Sequence, residues 1–326
     1  MKSPVHSGIV LQYNTPTGRG DEVEQQAGIL LVRNVEEALR KAGVPFTEVR
    51  NQGGRIVVET KNTSDAARVA ARVFGVDSVS NATVACADMN QDLRISEALK
   101  GVGGLPTGIE SKVVCTISSG LDSPVASYKV MRRGCVPVFV HFDNAPFSDE
   151  SNKELAIRQA KRLAEYVHGF EVKMYIVPHG DDLVEVLKHG PRKMTCVLCR
   201  RNMYRLAQEI ALREGADAIV TGEIIGEQAS QTTQNLRAER DAICEIPILR
   251  PCIGDDKVEI EALARTIGTY EFASEAVSCC SLPPKYPAVR ARPEDVREAE
   301  EKMDMDWISA EVSQAEVIIL KDGPKK

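Results

Sequence analysis

Cys196-Val197-Leu198-Cys199 sets two thiols three residues apart, and Cys279-Cys280 supplies two more about eighty residues later. A C-x-x-C of this kind serves as part of a zinc site, as a redox pair, or as two packed thiols. A four-ligand zinc site built from Cys196, Cys199, Cys279 and Cys280 would need adjacent residues to aim both side chains at one ion, at a cost in strain. A second chemical segment, Ser118-Ser119-Gly120-Leu121-Asp122-Ser123-Pro124, follows the apolar run Val113-Val114-Cys115-Thr116-Ile117 and precedes Val125-Ala126-Ser127-Tyr128-Lys129-Val130. The reading is a buried strand, a turn of small residues, and a helix opening with Ser123 as cap and Pro124 at its first position. Small side chains let backbone N–H groups approach an anion, and the helix N-terminus adds partial positive charge. Pyrophosphate is the natural guest. The Walker pattern G-x-x-x-x-G-K-[ST] is absent, which disfavours simple γ-phosphate hydrolysis.

These segments need a scaffold, and 326 residues suffice for two domains at ~100–200 residues each. Hydrophobic residues at 43% and charged residues at 27% exclude disorder on a large scale. The longest apolar stretches, such as Lys112 to Ile117 and Val136 to Val140, fall far short of the ~20 residues that span a bilayer. Residues 1–14 lack the apolar core of a secretory signal, so a cytoplasmic location without membrane partners is expected. The net charge of −6 argues against coating nucleic acid by bulk electrostatics. That acidity is regional, since Pro293 to Lys326 carries ten acids against five bases. Nine cysteines without an export signal are not a disulfide framework. Cys86, Cys115, Cys135, Cys244 and Cys252 lie mostly in apolar, strand-like contexts and are expected to fill the core.

Residues 1–87 read as a small α+β sandwich of strand, helix, strand, strand, helix, strand. Glu22 to Lys41 carries Ile29, Val32, Val35 and Leu39 at near-helical spacing, and Gln52-Gly53-Gly54 forms a hairpin turn between 46–50 and 55–60. A helix over 65–74 precedes a strand near 76–85. Residues 88–111 hold a short helical stretch, Asp92 to Lys100, and then Gly101, Gly103, Gly104, Pro106 and Gly108, the density of a linker. From 112 to 326, strands near 112–117, 136–142, 171–177 and 217–222 alternate with helices near 123–133, 149–167 and 196–214. Such alternation predicts an α/β domain whose parallel sheet is wrapped by helices and binds its ligand at the strands' C-terminal ends.

The loop at Ser118 to Ser123 resembles the PP-loop, S-G-G-x-D-S, of the ATP pyrophosphatases, with Ser119 where that family usually has Gly. The chain as a whole is similar to the tRNA 4-thiouridine synthetase (tRNA sulfurtransferase) family. The likeness runs through His141-Phe142, Pro146-Phe147-Ser148, Thr221-Gly222-Glu223, Gly226 to Thr232 with Asn235-Leu236, Leu249-Arg250-Pro251, Gly254-Asp255-Asp256-Lys257, Ile267-Gly268-Thr269 and Cys279-Cys280-Ser281. It covers most of 112–320, and Arg72 to Ser80 resembles that family's N-terminal ferredoxin-like domain. The resemblance implies an adenine nucleotide alpha hydrolase-like fold. It makes Asp122 the ATP-site acid and sets Ser118, Ser119, Gly120, Leu121 and Ser123 around phosphate. Lys257 serves the activated nucleotide, and His141, Phe142, Gly222, Glu223 and Gln231 complete the nucleotide site. Two departures accompany it: residues 88–111 leave no room for the usual THUMP domain, and no rhodanese segment is present in the sequence.

Archaeal-type members of the family hold an iron–sulfur cluster, 4Fe–4S or 3Fe–4S, on a C-x-x-C and one later cysteine, which here implies Cys196, Cys199 and Cys280. Thiolates suit such clusters because both partners are soft. Cys279 is then a neighbour, an alternative ligand or a packed thiol. The implied reaction uses ATP and Mg²⁺: uridine O4 attacks the α-phosphate, pyrophosphate leaves, and sulfur from inorganic sulfide or a cysteine desulfurase-type donor replaces AMP at C4. Lys188, His189, Arg192, Lys193, Arg200, Arg201 and Arg205 form the densest basic run and would meet tRNA phosphates. Rival readings keep the fold and change the chemistry: thiolation of another RNA site or a small metabolite, amidation with ammonia, or nucleotide sensing without turnover. His141, His168 and the other histidines show no metal spacing. Whether two chains join as a homodimer to grip one tRNA is left open by the sequence.

Overall fold

The computed structural model describes residues 5–16, 18–85, 98–276, 280–303 and 308–321. The first sheet contains β1 (Val5–Tyr13), β2 (Glu48–Gln52), β3 (Arg55–Glu59), β4 (Val76–Ala85) and β5 (Leu99–Lys100) in the antiparallel order β2-β3-β1-β4-β5. Helices α1 (Asp21–Lys41) and α2 (Thr63–Ala70) pack on it. The buried stripe of α1 is Ala27, Leu31, Val35, Ala38 and Leu39, at steps of three and four. Ile29, expected in that stripe, is exposed because it lies about 200° around the helix from Ala27.

The Gly/Pro-rich connection differs from a free tether. Leu99–Lys100 pairs with β4 as a strand and Ala98 before it is not helical, while residues 92–97 of the expected 92–100 helix lie outside the described residues. Val102 and Gly103 donate backbone bonds to Ala71 and Val76, and Leu105 and Gly108 donate to Arg132 and Gly134 across the junction. Glycine is required at Gly101 because a Cβ there would meet the Val76 carbonyl oxygen at 2.1 Å. Close backbone packing, not flexibility, accounts for this composition.

The second sheet takes β6 (Lys112–Thr116), β7 (Val136–Asp143), β8 (Val172–Pro178), β9 (Ala218–Val220), β10 (Ile248–Leu249) and β11 (Glu316–Lys321) in the order β10-β9-β6-β7-β8-β11. All neighbours are parallel except β11, which runs antiparallel on β8. Helices α3 (Asp122–Met131), α4 (Glu150–Ala164), α5 (Gly180–His189), α6 (Thr195–Glu214), α7 (Thr233–Arg240), α8 (Lys257–Ile267), α9 (Tyr270–Ser274), α10 (Pro293–Glu300) and α11 (Ile308–Gln314) accompany it. Alternation along β6 divides the core: Val113 and Cys115 pack with α3, α4 and α8, and Val114 packs with α6. The chain leaves β6 for β7 on one side and returns as β9 on the other, so a topological switch lies at β6. Among the described helices none is long and apolar enough to cross a membrane.

Phe139 is fully buried on β7. Phe139→Ala is expected to destabilise the protein by ~3–5 kcal/mol through lost burial and a cavity, read as a lower urea midpoint with an unchanged slope; an unaltered midpoint would contradict this account of the core.

Candidate functional site

The loop after β6 folds onto itself through hydroxyls. The Ser118 amide donates to Ser123 Oγ at 2.9 Å, and the Gly120 amide donates to Ser118 Oγ at 3.2 Å. Helix α3 therefore begins at Asp122, and Ser123 sits inside the first turn instead of capping it. Its hydroxyl is held by the loop, a competing local bond that helix grammar does not anticipate. From α4, the Gln159 carboxamide donates to the carbonyls of Ser119 (2.8 Å) and Gly120 (2.9 Å), and Ser119 Oγ donates to Asn152 at 2.7 Å. Gln159 and Asn152 were not anticipated; their signal is two buried amides on one face of an amphipathic helix.

Thr221-Gly222-Glu223 follows β9 and closes against this turn. A Cβ on Gly222 would stand 2.7 Å from the Ser123 nitrogen, so the two backbones approach as only glycine permits. His141, near the end of β7, lies 3.0 Å through Nδ1 from the Ile117 carbonyl, which only an Nδ1–H can satisfy. Burial pushes its pKa down, so the ring is held neutral. Lys257, the first residue of α8, donates from Nζ to Asp122 at 2.8 Å. Lys129 on α3 pairs with Asp255 and donates to the Pro251 carbonyl at 3.3 Å, which fastens the start of α8 to α3.

One cavity of about 470 Å³ opens at this switch point. Its wall includes Ser118, Ser119, Gly120, Asp122, Ser123, His141, Phe142, Gly222, Glu223 and Gln231. Cys196, Cys199 and Cys280 line the same cavity. The first two stand on one face of the opening turn of α6, and Cys280 follows in a segment pinned by the Ser281 amide donating to the Phe147 carbonyl at 2.9 Å. Leu121 caps α3 and packs against the core without lining the cavity, and Lys257 reaches the site through Asp122. Cys279 lies outside the described residues, as does Cys86. Cys115 and Cys252 are buried and Cys135 is half-buried, whereas Cys244 is exposed, because it follows α7 in a surface turn instead of a strand.

The chemistry of the wall suits a nucleotide. Gln231 is buried, and its Oε1 has no hydrogen-bond donor among the described residues, leaving an acceptor available to a base amine or a ribose hydroxyl. Three thiols lining one cavity are also a donor set whose softness suits an iron–sulfur cluster. Glu223 is buried and committed: Arg200 donates to it at 2.7 Å, Tyr204 at 2.7 Å, and Thr221 also bonds it. Burial alone would raise this carboxyl; Arg200 and the hydroxyl bonds outweigh that and hold it below the ordinary range.

The basic run is divided. Arg200 belongs to Glu223, while Arg201 and Arg205 both grip Glu300 of α10, at 2.6 and 2.7 Å. These three are structural ion pairs and not the expected RNA contacts, since α6 turns this face inward. Lys188, His189, Arg192 and Lys193 remain exposed beside the thiol turn.

A largely parallel sheet with a hydroxyl-laced loop at its switch point defines an α/β fold of the PP-loop class. A family model described as ThiI, thiamine biosynthesis protein, matches residues 108–305, and the chain belongs to that family. A probable tRNA sulfurtransferase of Methanothermobacter thermautotrophicus is 47% identical over 214 residues, 66% of this chain and 55% of that protein. The chain thus spans about half the length of that relative. A probable tRNA sulfurtransferase of Methanosarcina mazei is 30% identical over 385 residues, 95% of both chains. The crystal structure of a 4-thiouridine synthetase–RNA complex with bound ATP superposes with a TM-score of 0.84 over 97% of this chain and 100% of that one, at 24% identity, a likeness of fold.

Glu239 is fully buried behind Arg200, and burial lifts its carboxyl from 4.5 to about 8. The folded state then keeps a proton that the unfolded chain releases near 4.5, so this group's contribution to stability falls as pH rises from about 4.5 to about 8. Glu239→Gln is expected to flatten the decline in thermal midpoint between pH 5 and 8. The flattening is partial, because burial raises Glu311 to about 8 as well. An unchanged slope would refute the buried neutral carboxyl.

Proposed function

We propose that this chain thiolates a uridine of tRNA to 4-thiouridine at the expense of ATP. The observation that carries the reading is the single cavity lined both by the loop 118–123 and by Cys196, Cys199 and Cys280. The names of the relatives, and a fold neighbour solved with RNA and ATP, support the substrate classes.

ATP enters with its pyrophosphate against the loop 118–123, where the start of α3 favours negative charge. Asp122 is the acid of the loop that would hold Mg²⁺. Lys257, beside it, offsets charge growing on the α-phosphate as uridine O4 attacks and pyrophosphate leaves. The product is an adenylated carbonyl whose C4 accepts a sulfur nucleophile, after which AMP departs. Cys196, Cys199 and Cys280 would hold an iron–sulfur cluster, which would supply sulfur at the sulfide level for replacement of AMP at C4. The protein's part is to hold both reaction centres in one enclosure. Exposed Lys188, His189, Arg192 and Lys193 border the thiol turn and meet tRNA phosphates, which position the substrate without reading its sequence.

Pyrophosphate release from ATP, measured with unmodified tRNA, is expected to vanish in Asp122→Ala and to fall ~10²–10³-fold in Lys257→Ala. Cys280→Ala is expected to retain pyrophosphate release while nucleoside mass spectrometry finds no 4-thiouridine. Full thiolation by Cys280→Ala, or unchanged 4-thiouridine in cells lacking this chain, would overturn the proposal.

A further inference from the structure

Behind the thiol turn of α6 lies a buried line of side chains that the reaction above does not use. His179, between β8 and α5, has no exposed surface, and its Nε2 lies 3.3 Å from Cys199 Sγ. Its other nitrogen, Nδ1, lies 2.7 Å from Asp182 Oδ2, and both side chains are fully buried. Glu311 of α11 stands behind them, with one donor atom from each of the three residues within 4.8 Å of the others.

The spacing speaks against an ion between His179 and Asp182. Two ligands at ~2.0–2.2 Å from one tetrahedral zinc stand about 3.3 Å apart. Nitrogen and oxygen here are at hydrogen-bond distance instead. The Asp182 carboxylate set against Nδ1 limits rotation of the imidazole and leaves Nε2 facing the sulfur. Phe142, a cavity residue, packs its ring 5.6 Å from the imidazole and restricts its tilt.

We propose that His179, oriented by Asp182, is a positioning residue that holds the Cys199 sulfur in place for the metal–sulfur group and tightens the chain's grip on it. The inference rests on the reading of Cys196, Cys199 and Cys280 as that group's ligands. Groups that hydrogen-bond to metal ligands set ligand orientation, and bonds to the sulfurs set the properties of iron–sulfur centres. His179 lies in the sequence three residues before Asp182 and twenty before Cys199, a relation no C-x-x-C spacing reveals.

The test uses the full chain, reconstituted anaerobically with ferrous iron and sulfide, as wild type and as His179→Ala, His179→Gln, Asp182→Asn and Cys199→Ala. Iron retained against a chelator and the rate of Cys199 alkylation by iodoacetamide in the metal-free protein are both measured, with ATP binding as the control. His179→Ala is expected to retain iron about tenfold or more weakly, the range seen for such supporting groups, and to alter Cys199 alkylation with ATP affinity unchanged. His179→Gln, which can return an N–H to the sulfur, is expected to recover much of the loss, as a merely space-filling role would not require. Asp182→Asn is expected to shift the same readouts in the same direction, and it decides the matter if His179→Ala does not fold. Wild-type iron retention and alkylation in His179→Ala, or in Asp182→Asn where that variant decides, overturn the inference. Should the wild type take up no iron and Cys199→Ala behave identically, the ligand reading itself fails, and the positioning role falls with it.

Discussion

In the site two backbones approach as closely as only glycine allows, at Gly222 and Ser123. A side-chain carbon at Gly222 would meet main-chain atoms of Asp122 and Ser123 at 2.7 to 2.9 Å, an obstacle that no rotamer change removes. That contact seats the C-terminal end of β9 on the first turn of α3 and converts the crevice at the switch into an enclosure. Thr221 and Glu223 flank it, so their directions are set once the glycine is in place. Thr221 turns its hydroxyl onto Glu223, and Glu223 reaches across to α6.

Through Glu223 the nucleotide wall and the thiol turn become one body. Its carboxylate has no exposed surface, and Arg200, directly after Cys199, supplies the compensating charge. Removing one partner of such a pair strands a buried charge at a cost of ~3–5 kcal/mol. Arg250 approaches the same carboxylate at 3.4 Å, which adds the segment after β10 to the network. A second anchor lies one residue along α6, where Arg201 is buried against Glu300 and the Ala238 carbonyl. The helix that carries Cys196 and Cys199 is thereby fixed on two sides by charge, although its own opening turn has no side-chain cap.

Much of this arrangement was legible where the physics is local. Period-two and period-3.6 patterns located β6 to β9 with α3, α4 and α6 to within a few residues, because each strand and helix face has its own apolar signature. Small residues after a strand marked the loop for the same reason. Long-range partners were not legible. Arg200 and Arg201 read as bases facing tRNA until their carboxylates, twenty-three and ninety-nine residues away, are brought to them. The antiparallel β11 depends wholly on β8 for its pairing, and His179 has no neighbour in the sequence that announces a thiol. Ile29 misled because an apolar residue on a helix counts only with its angle.

The Asp122–Lys257 pair differs in kind from these buried anchors. Both partners keep solvent contact, with side-chain exposures of 21% and 41%, and pairs of that sort contribute only ~0–1 kcal/mol. Stability therefore does not account for the effort of bringing α8 to the loop, which Lys129 accomplishes from behind through Asp255 and Pro251. The consequence is a lysine brought by structure to Asp122, a residue of the cavity wall, in a pair loose enough to exchange partners. Opposite it, the thiol turn is held by interactions that leave no such freedom. A site with one adaptable wall and one rigid wall suits the proposed reaction, in which a nucleotide would enter, react and leave while the thiol side keeps its place.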